Sequence, residues 1–152
     1  MKLGEALKLR SDNLRKIEEL RARAMASAQI QEGTKPADDA NELIGEIERL
    51  TKETTSLIQR INRTNVATRL PEGSLLSDAL AQRDAYLSLR AALQGVAKAA
   101  SEPQQRYMRS EIRVVRTIDA AAILKRADDL SRKHRELDAA IQELNWTTDL
   151  QG

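Results

Sequence analysis

The amino-acid sequence predicts a mostly α-helical protein: four long helices in an antiparallel bundle of coiled-coil-like hairpins, with a small β element near 66–76 and 110–118. Three observations carry that expectation. Phenylalanine is absent and aromatics make up 2% of the 152 residues, whereas Ala and Leu together supply 42. Half-buried strands need β-branched and aromatic side chains, which this chain largely lacks, so long helices are the default. The three prolines, Pro36, Pro71 and Pro103, each fall where the apolar periodicity breaks, leaving segments of helical length between them. Within those segments apolar residues recur in alternating steps of four and three, the 3.5-residue period of a coiled-coil seam.

The first segment, from about Glu5 to Ile30, places Leu3, Leu7, Leu14, Ile17, Ala24 and Ala28 on one side and stops at Gly33-Thr34-Lys35-Pro36. Asp38 and Asp39 then offer an N-cap and a negative first turn for the second helix. That helix carries Leu43, Ile47, Leu50, Thr54, Leu57 and Ile61, spaced 4, 3, 4, 3 and 4. The third, from about Ser77 to Ala100, carries Leu75, Ala79, Tyr86, Leu89, Leu93 and Val96. Leu76, Leu80 and Leu87 widen its apolar face enough for two neighbours. The fourth carries Ile123, Ala127, Leu130, His134, Leu137, Ile141 and Leu144, with Asp119 as its N-cap and Ile118 and Ile123 as a hydrophobic staple.

The β expectation rests on two short stretches. Thr68 to Leu75 contains a Pro71-Glu72-Gly73 turn between extended residues and suggests a tiny hairpin. Ser110 to Ile118 holds Ile112, Val114 and Val115, the β-branched cluster of the chain.

The length suits one domain, residues 1–152, and an internal likeness suggests that it holds two duplicated helical hairpins, 3–65 and 76–148. Leu3-Gly4-Glu5-Ala6-Leu7 matches Leu76-Ser77-Asp78-Ala79-Leu80, with Arg10 and Leu14 facing Arg83 and Leu87. Farther on, Ile58-Gln59-Arg60-Ile61-Asn62-Arg63-Thr64 resembles Ile141-Gln142-Glu143-Leu144-Asn145-Trp146-Thr147. On this alignment Gly4 and Ser77 are expected to be equivalent N-caps.

Composition narrows the chemistry. Without cysteine there is no disulfide framework, thiol catalysis or Cys-ligated zinc. With one histidine, His134, a His-pair metal site could form only across subunits, and no metal or other cofactor is expected. His134 sits in a seam position, where a polar residue hydrogen-bonded to fix register outweighs a pH-sensitive contact or a shared metal ligand. The net charge of +2 is too small to make the whole protein an electrostatic nucleic-acid binder. Arg106, Arg109, Arg113 and Arg116 would form a basic stripe for phosphate or nucleic acid on a continuous helix, and they scatter if the segment is extended. No aromatic platform accompanies them, so nucleic acid is not an expected partner. The polar runs after the second and fourth helices offer a candidate small-ligand site at Asn62, Arg63, Asn65, Asn145 and Trp146. Capping of orphan helix carbonyls is the simpler role for these residues.

No stretch has the length of uncharged apolar residues that a membrane span needs. The opening residues reach Glu5 before any apolar run and do not read as a signal peptide, so the cytoplasm is the expected compartment. Narrow seams, a wide third helix and no catalytic constellation together predict a non-enzymatic helical protein that forms homo-oligomers.

The segments Met1-Lys2-Leu3-Gly4-Glu5-Ala6-Leu7, Ile61-Asn62-Arg63-Thr64-Asn65, Ala67-Thr68-Arg69-Leu70, Ser77-Asp78-Ala79-Leu80, Arg109-Ser110-Glu111-Ile112 and Asn145-Trp146-Thr147-Thr148 give a further expectation. Taken together, nearly end to end, the chain resembles a family of uncharacterised bacterial helical proteins of about this length, some of which carry the label septicolysin. The resemblance implies a helical protein without established activity or catalytic residues. The label would imply a membrane-active, pore-forming protein. The residues themselves lead us to expect no secretion signal, no long apolar hairpin and no alternating pattern suited to a membrane barrel, which argues against that implication.

Overall fold

The computed structural model describes residues 1–103 and 112–152, which contain four α-helices: α1 (Leu3–Ala26), α2 (Ala40–Ala67), α3 (Leu76–Ser101) and α4 (Ala120–Thr147). No strand occurs among the described residues. The chain divides into two compact units, Met1–Leu76 with Gln142–Gly152, and Ser77–Ile141.

In the first unit α1 and α2 form an antiparallel hairpin. Asp39 caps α2, its carboxylate accepting from the N–H groups of Asn41 (2.9 Å) and Glu42 (3.4 Å). Asp38 instead meets Arg23 in a two-pronged pair, 2.6 and 3.1 Å, that holds the connecting loop against the end of α1. The seam of α2 is buried at Leu43, Leu50, Thr54, Leu57 and Ile61, with Ile47 partly buried, as its spacing predicts. Leu43 and Leu50 join Leu20 and Ala24 of α1 in one apolar cluster, with Ile17 and Ile47 packed against it.

The stripe on α1 differs from expectation. Leu14 is 48% exposed, Ala28 lies beyond the helix and is exposed, and Leu20 is buried in their stead. The residues that face inward are Leu3, Ala6, Leu7, Ile17, Leu20 and Ala24, whose steps stay closer to one side of a 3.6-residue helix.

In the second unit the α4 seam follows its predicted positions: Ile123, Ala127, Leu130, His134, Leu137 and Ile141 are all buried or half-buried. On α3 the inward residues are Ala79, Arg83, Tyr86, Arg90, Leu93 and Ala97, whereas Leu89 and Val96 are 48% and 52% exposed. The two arginines take seam positions because α4 offers them polar partners. Arg83 donates to Asp138 (3.2 Å) and Arg90 to Ser131 (3.3 Å).

The small β element near 66–76 and 110–118 does not form. Val66 and Ala67 complete α2, Leu76 opens α3, and the turn through Pro71 and Gly73 leaves room for one antiparallel bridge, Arg69 to Leu75. Gly73, at φ +100°, supplies the left-handed residue of that turn. Ile112–Arg116 has no regular secondary structure and is exposed throughout, while Ser110 and Glu111 lie outside the described residues.

The register of α1 gives a direct test. Leu20→Ala and Leu50→Ala should each cost about 2–5 kcal/mol, as buried leucines do. Leu14→Ala, although at an expected core position, should stay within about 0.5 kcal/mol of wild type. Urea unfolding of the three variants checks this; a large loss at Leu14 would contradict the register.

Candidate functional site

The polar runs expected after the second and fourth helices lie instead in their last turns, Asn62–Asn65 within α2 and Asn145–Thr147 within α4, and in the first unit these helix ends build two similar junctions. A helix leaves its first N–H groups without intrahelical acceptors, and these need outside partners if the end is buried. Leu3, the first residue of α1, is fully buried and donates its N–H to the Thr148 carbonyl (3.0 Å) just past α4. Leu76, the first residue of α3, is equally buried and donates to the Thr68 carbonyl (2.9 Å) just past α2. The return bonds repeat as well. Leu150 N–H meets the Met1 carbonyl at 2.9 Å, and Leu70 N–H meets the Ser74 carbonyl at 2.9 Å. Single antiparallel bridges, Lys2 to Asp149 and Arg69 to Leu75, complete the two patterns.

This arrangement corrects the expected N-caps. Gly4 and Ser77 lie inside their helices, and the positions before Leu3 and Leu76 are Lys2 and Leu75. No small polar cap is needed, because a main-chain carbonyl already takes the first N–H of each helix. Gly4 is required for another reason. A Cβ on it would lie 3.0 Å from the Trp146 ring and 3.1 Å from the Asn145 carbonyl oxygen, so glycine lets α1 approach the end of α4.

Side chains reinforce the first junction. Thr64 is fully buried; its hydroxyl donates to the Arg60 carbonyl (2.9 Å) and accepts from the Gln151 N–H (3.0 Å). Arg60 Nε donates to the Gln151 carbonyl (2.9 Å) and Arg63 Nε to the Gly152 main-chain oxygen (3.0 Å). Lys2 Nζ reaches both the Thr147 carbonyl (3.0 Å) and the Asp149 carboxylate (2.8 Å). The hydrogen bond and charge of Lys2 hold the Asp149 carboxyl below the usual carboxylate range.

Of the five candidate ligand residues, Arg63 binds main chain, and Asn145 is buried with its amide 3.5 Å from Gln142. Asn62 is exposed, Asn65 half-buried, and Trp146 is 59% exposed with one face on Gly4. No hydrogen bond joins Asn62 or Asn65 to Asn145 or Trp146. Sequence reasoning missed Lys2, Arg60 and Thr64. The signal for Thr64 was its place in the repeated Ile58–Thr64 run, where a hydroxyl follows a seam isoleucine.

Of the basic run, Arg106 and Arg109 lie outside the described residues, while Arg113 and Arg116 are exposed on non-helical chain. His134 is half-buried on α4. No group of three His, Asp or Glu side chains that could hold a metal ion is present among the described residues.

Comparison with known proteins agrees with the helical architecture. A model described as a family of unknown function (DUF6847) matches residues 10–150. A functionally unknown conserved protein from Corynebacterium diphtheriae, known from a crystal structure, is 44% identical over 99% of both chains, with a TM-score of 0.92. No curated protein matches the chain.

Two variants probe the junction. Thr64→Val keeps the shape but removes the acceptor of the Gln151 N–H, so stability should fall by about 0.5–1.5 kcal/mol in urea, the net worth of one hydrogen bond. Asp149→Asn removes a carboxyl whose folded pKa is depressed. Its contribution is therefore present above the ordinary carboxylate range and lost as pH falls through the folded value. Wild type should be the more stable at neutral pH, and the two melting curves should converge under acid; a gap that persists in acid would contradict this.

Proposed function

Because the chain belongs to this family of unknown function, whose name assigns no reaction, we propose that it is a non-enzymatic, self-associating helical structural or interaction protein. The observation that carries the reading is an apolar surface in the second unit. Val96, Ile112, Val114 and Val115 are 52%, 83%, 68% and 68% exposed, and they line a cavity of about 1060 Å³. Apolar side chains gathered at such exposure mark an interaction surface more often than a bare one.

A second copy is the occupant that its chemistry suits. Arg113 and Arg116 share the lining with Glu102, so a two-fold operation can set the basic part of one patch against the acidic part of the other. The net charge of +2 imposes little repulsion between copies. A cytoplasmic location accompanies this reading.

We also propose that residues 3–65 and 76–148 descend from one duplicated hairpin within a single domain. What supports it is the matching pattern of main-chain bonds, Leu3 to Thr148 and Leu150 to Met1 against Leu76 to Thr68 and Leu70 to Ser74.

The septicolysin label would make the protein membrane-active. Among the described residues no helix is long and apolar enough to cross a membrane, so self-association is the favoured reading. Phosphate or nucleic-acid binding through Arg106–Arg116 is favoured less, since Arg113 and Arg116 share no helical face.

Sedimentation equilibrium tests the proposal. Wild type should associate at micromolar concentration, and Val115→Asp should shift it to monomer with an unchanged circular dichroism spectrum. A wild type that stays monomeric would refute it.

A further inference from the structure

We propose that the groove between α1 and α2 binds a small anionic amphiphile, a carboxylate or phosphate ester carried on an apolar body, with Lys52 and Arg60 holding the anion. The groove lies within the first unit, is open to solvent and has a volume of about 570 Å³. That is the scale of small-molecule sites, which pair an apolar lining with a few placed polar groups.

Its floor and rim differ in chemistry. Met1, Leu9 and Leu57 contribute apolar surface; Leu57 is buried, while Leu9 is left 41% exposed. Along the rim, Arg49, Lys52, Ser56 and Arg60 follow one another on α2 in steps of 3, 4 and 4, which places them on one face of the helix. Eleven residues at 1.5 Å each make this rim about 16 Å long, room for an extended ligand.

The charges are unbalanced. Arg49 is neutralised by Glu53 at 2.7 Å. Lys52 has no carboxylate partner among the described residues, and Arg60 donates Nε to the Gln151 carbonyl, a neutral acceptor. Glu53, the acid of the lining, is taken up by Arg49, so Lys52 and Arg60 border the apolar floor with no carboxylate within ion-pair distance among the described residues. A cationic ligand would be repelled, and a wholly apolar one would make no use of the two cations. An anion on an apolar tail satisfies rim and floor together. The fork of Arg60 keeps free N–H groups for an oxyanion, and the Lys52 ammonium adds a point charge beside it.

Titration calorimetry of the full chain tests this with dodecanoate and dodecyl phosphate below their micellar concentrations. Dodecyl maltoside and dodecyltrimethylammonium serve as neutral and cationic counterparts. One equivalent of each anion should bind, and the counterparts should bind far more weakly. Lys52→Glu should weaken dodecanoate by about tenfold or more, the weight of one charge-assisted contact. Lys52→Arg should retain binding, and Leu9→Asn should weaken both anions. Both altered residues are exposed on their helices, so the variants should keep the wild-type circular dichroism spectrum. Val115→Asp, altered in the other unit, should bind dodecanoate as wild type does, which separates this site from self-association. Absence of anion binding, equal binding of the maltoside, dodecanoate affinity unchanged in Lys52→Glu and Leu9→Asn, or binding lost in Val115→Asp would each overturn the proposal.

Discussion

The first N–H groups of α1 and α3 are buried, and a buried helix end must find an acceptor outside its own helix. That requirement organises the first unit. Leu3 and Leu76 each take a carbonyl from the residue just past another helix, Thr148 and Thr68, and the chain then runs back alongside for one more bond. Burial of these polar groups is tolerated because they are paired. Much nearby sequence serves the two junctions. Leu70 and Leu150 occupy matching buried positions, Gly4 clears space for the Trp146 ring, and Thr64 ties the segment after α4 to α2. Polar runs that invite a ligand reading, Asn62–Asn65 and Asn145–Thr148, lie where helix ends must be closed.

Packing in the second unit follows a different pattern. Placing Arg83 and Arg90 in the α3 seam burdens it with charge. Asp138 and Ser131 answer most of that, although Arg90 Nε is left as a buried donor without a partner. Leu89 and Val96 are displaced outward by the same rotation of the helix. The unit thus admits two arginines among its inward apolar residues and leaves Leu89 and Val96 outside, joined by Ile112, Val114 and Val115. An exposed face of that kind suits a protein whose work is contact with another molecule. The first unit shows a milder version in the α1–α2 groove, where Lys52 and Arg60 stand beside the apolar floor and the one lining carboxylate, Glu53, is paired with Arg49.

Much of the architecture is legible in sequence. Four helices, their divisions at the prolines, the caps at Asp39 and Asp119, and the α2 and α4 seams all follow from periodicity and end signals. Seams of six evenly stepped apolar residues leave one choice of inward face. The α1 and α3 faces were less legible because both helices carry more apolar residues than one face can hold. Leu14 competed with Leu20, and Leu89 and Val96 competed with Arg90 and Ala97. No rule of spacing reveals that an arginine will sit inward when the facing helix carries Ser131 or Asp138. The β-branched cluster misled for a related reason. Propensity favours a strand at Ile112–Val115, but a strand needs a second strand to pair with, and none is present among the described residues.

Sequence by itself determined the four helices, the caps of α2 and α4 and two of the helix faces, because those depend on local spacing and on side chains within a turn of one another. Only the tertiary structure decided that Lys2, Gly4, Arg60 and Thr64 work as one junction with residues 145–152. It also decided that Asn62 and Trp146 face solvent while Asn145 is buried, and that Lys52 and Arg60 border an apolar groove. Those relations join residues up to 147 positions apart, as Lys2 and Asp149 are. They arise from the main chain's need to pair its buried N–H and C=O groups, a need that every sequence shares and that no residue type announces.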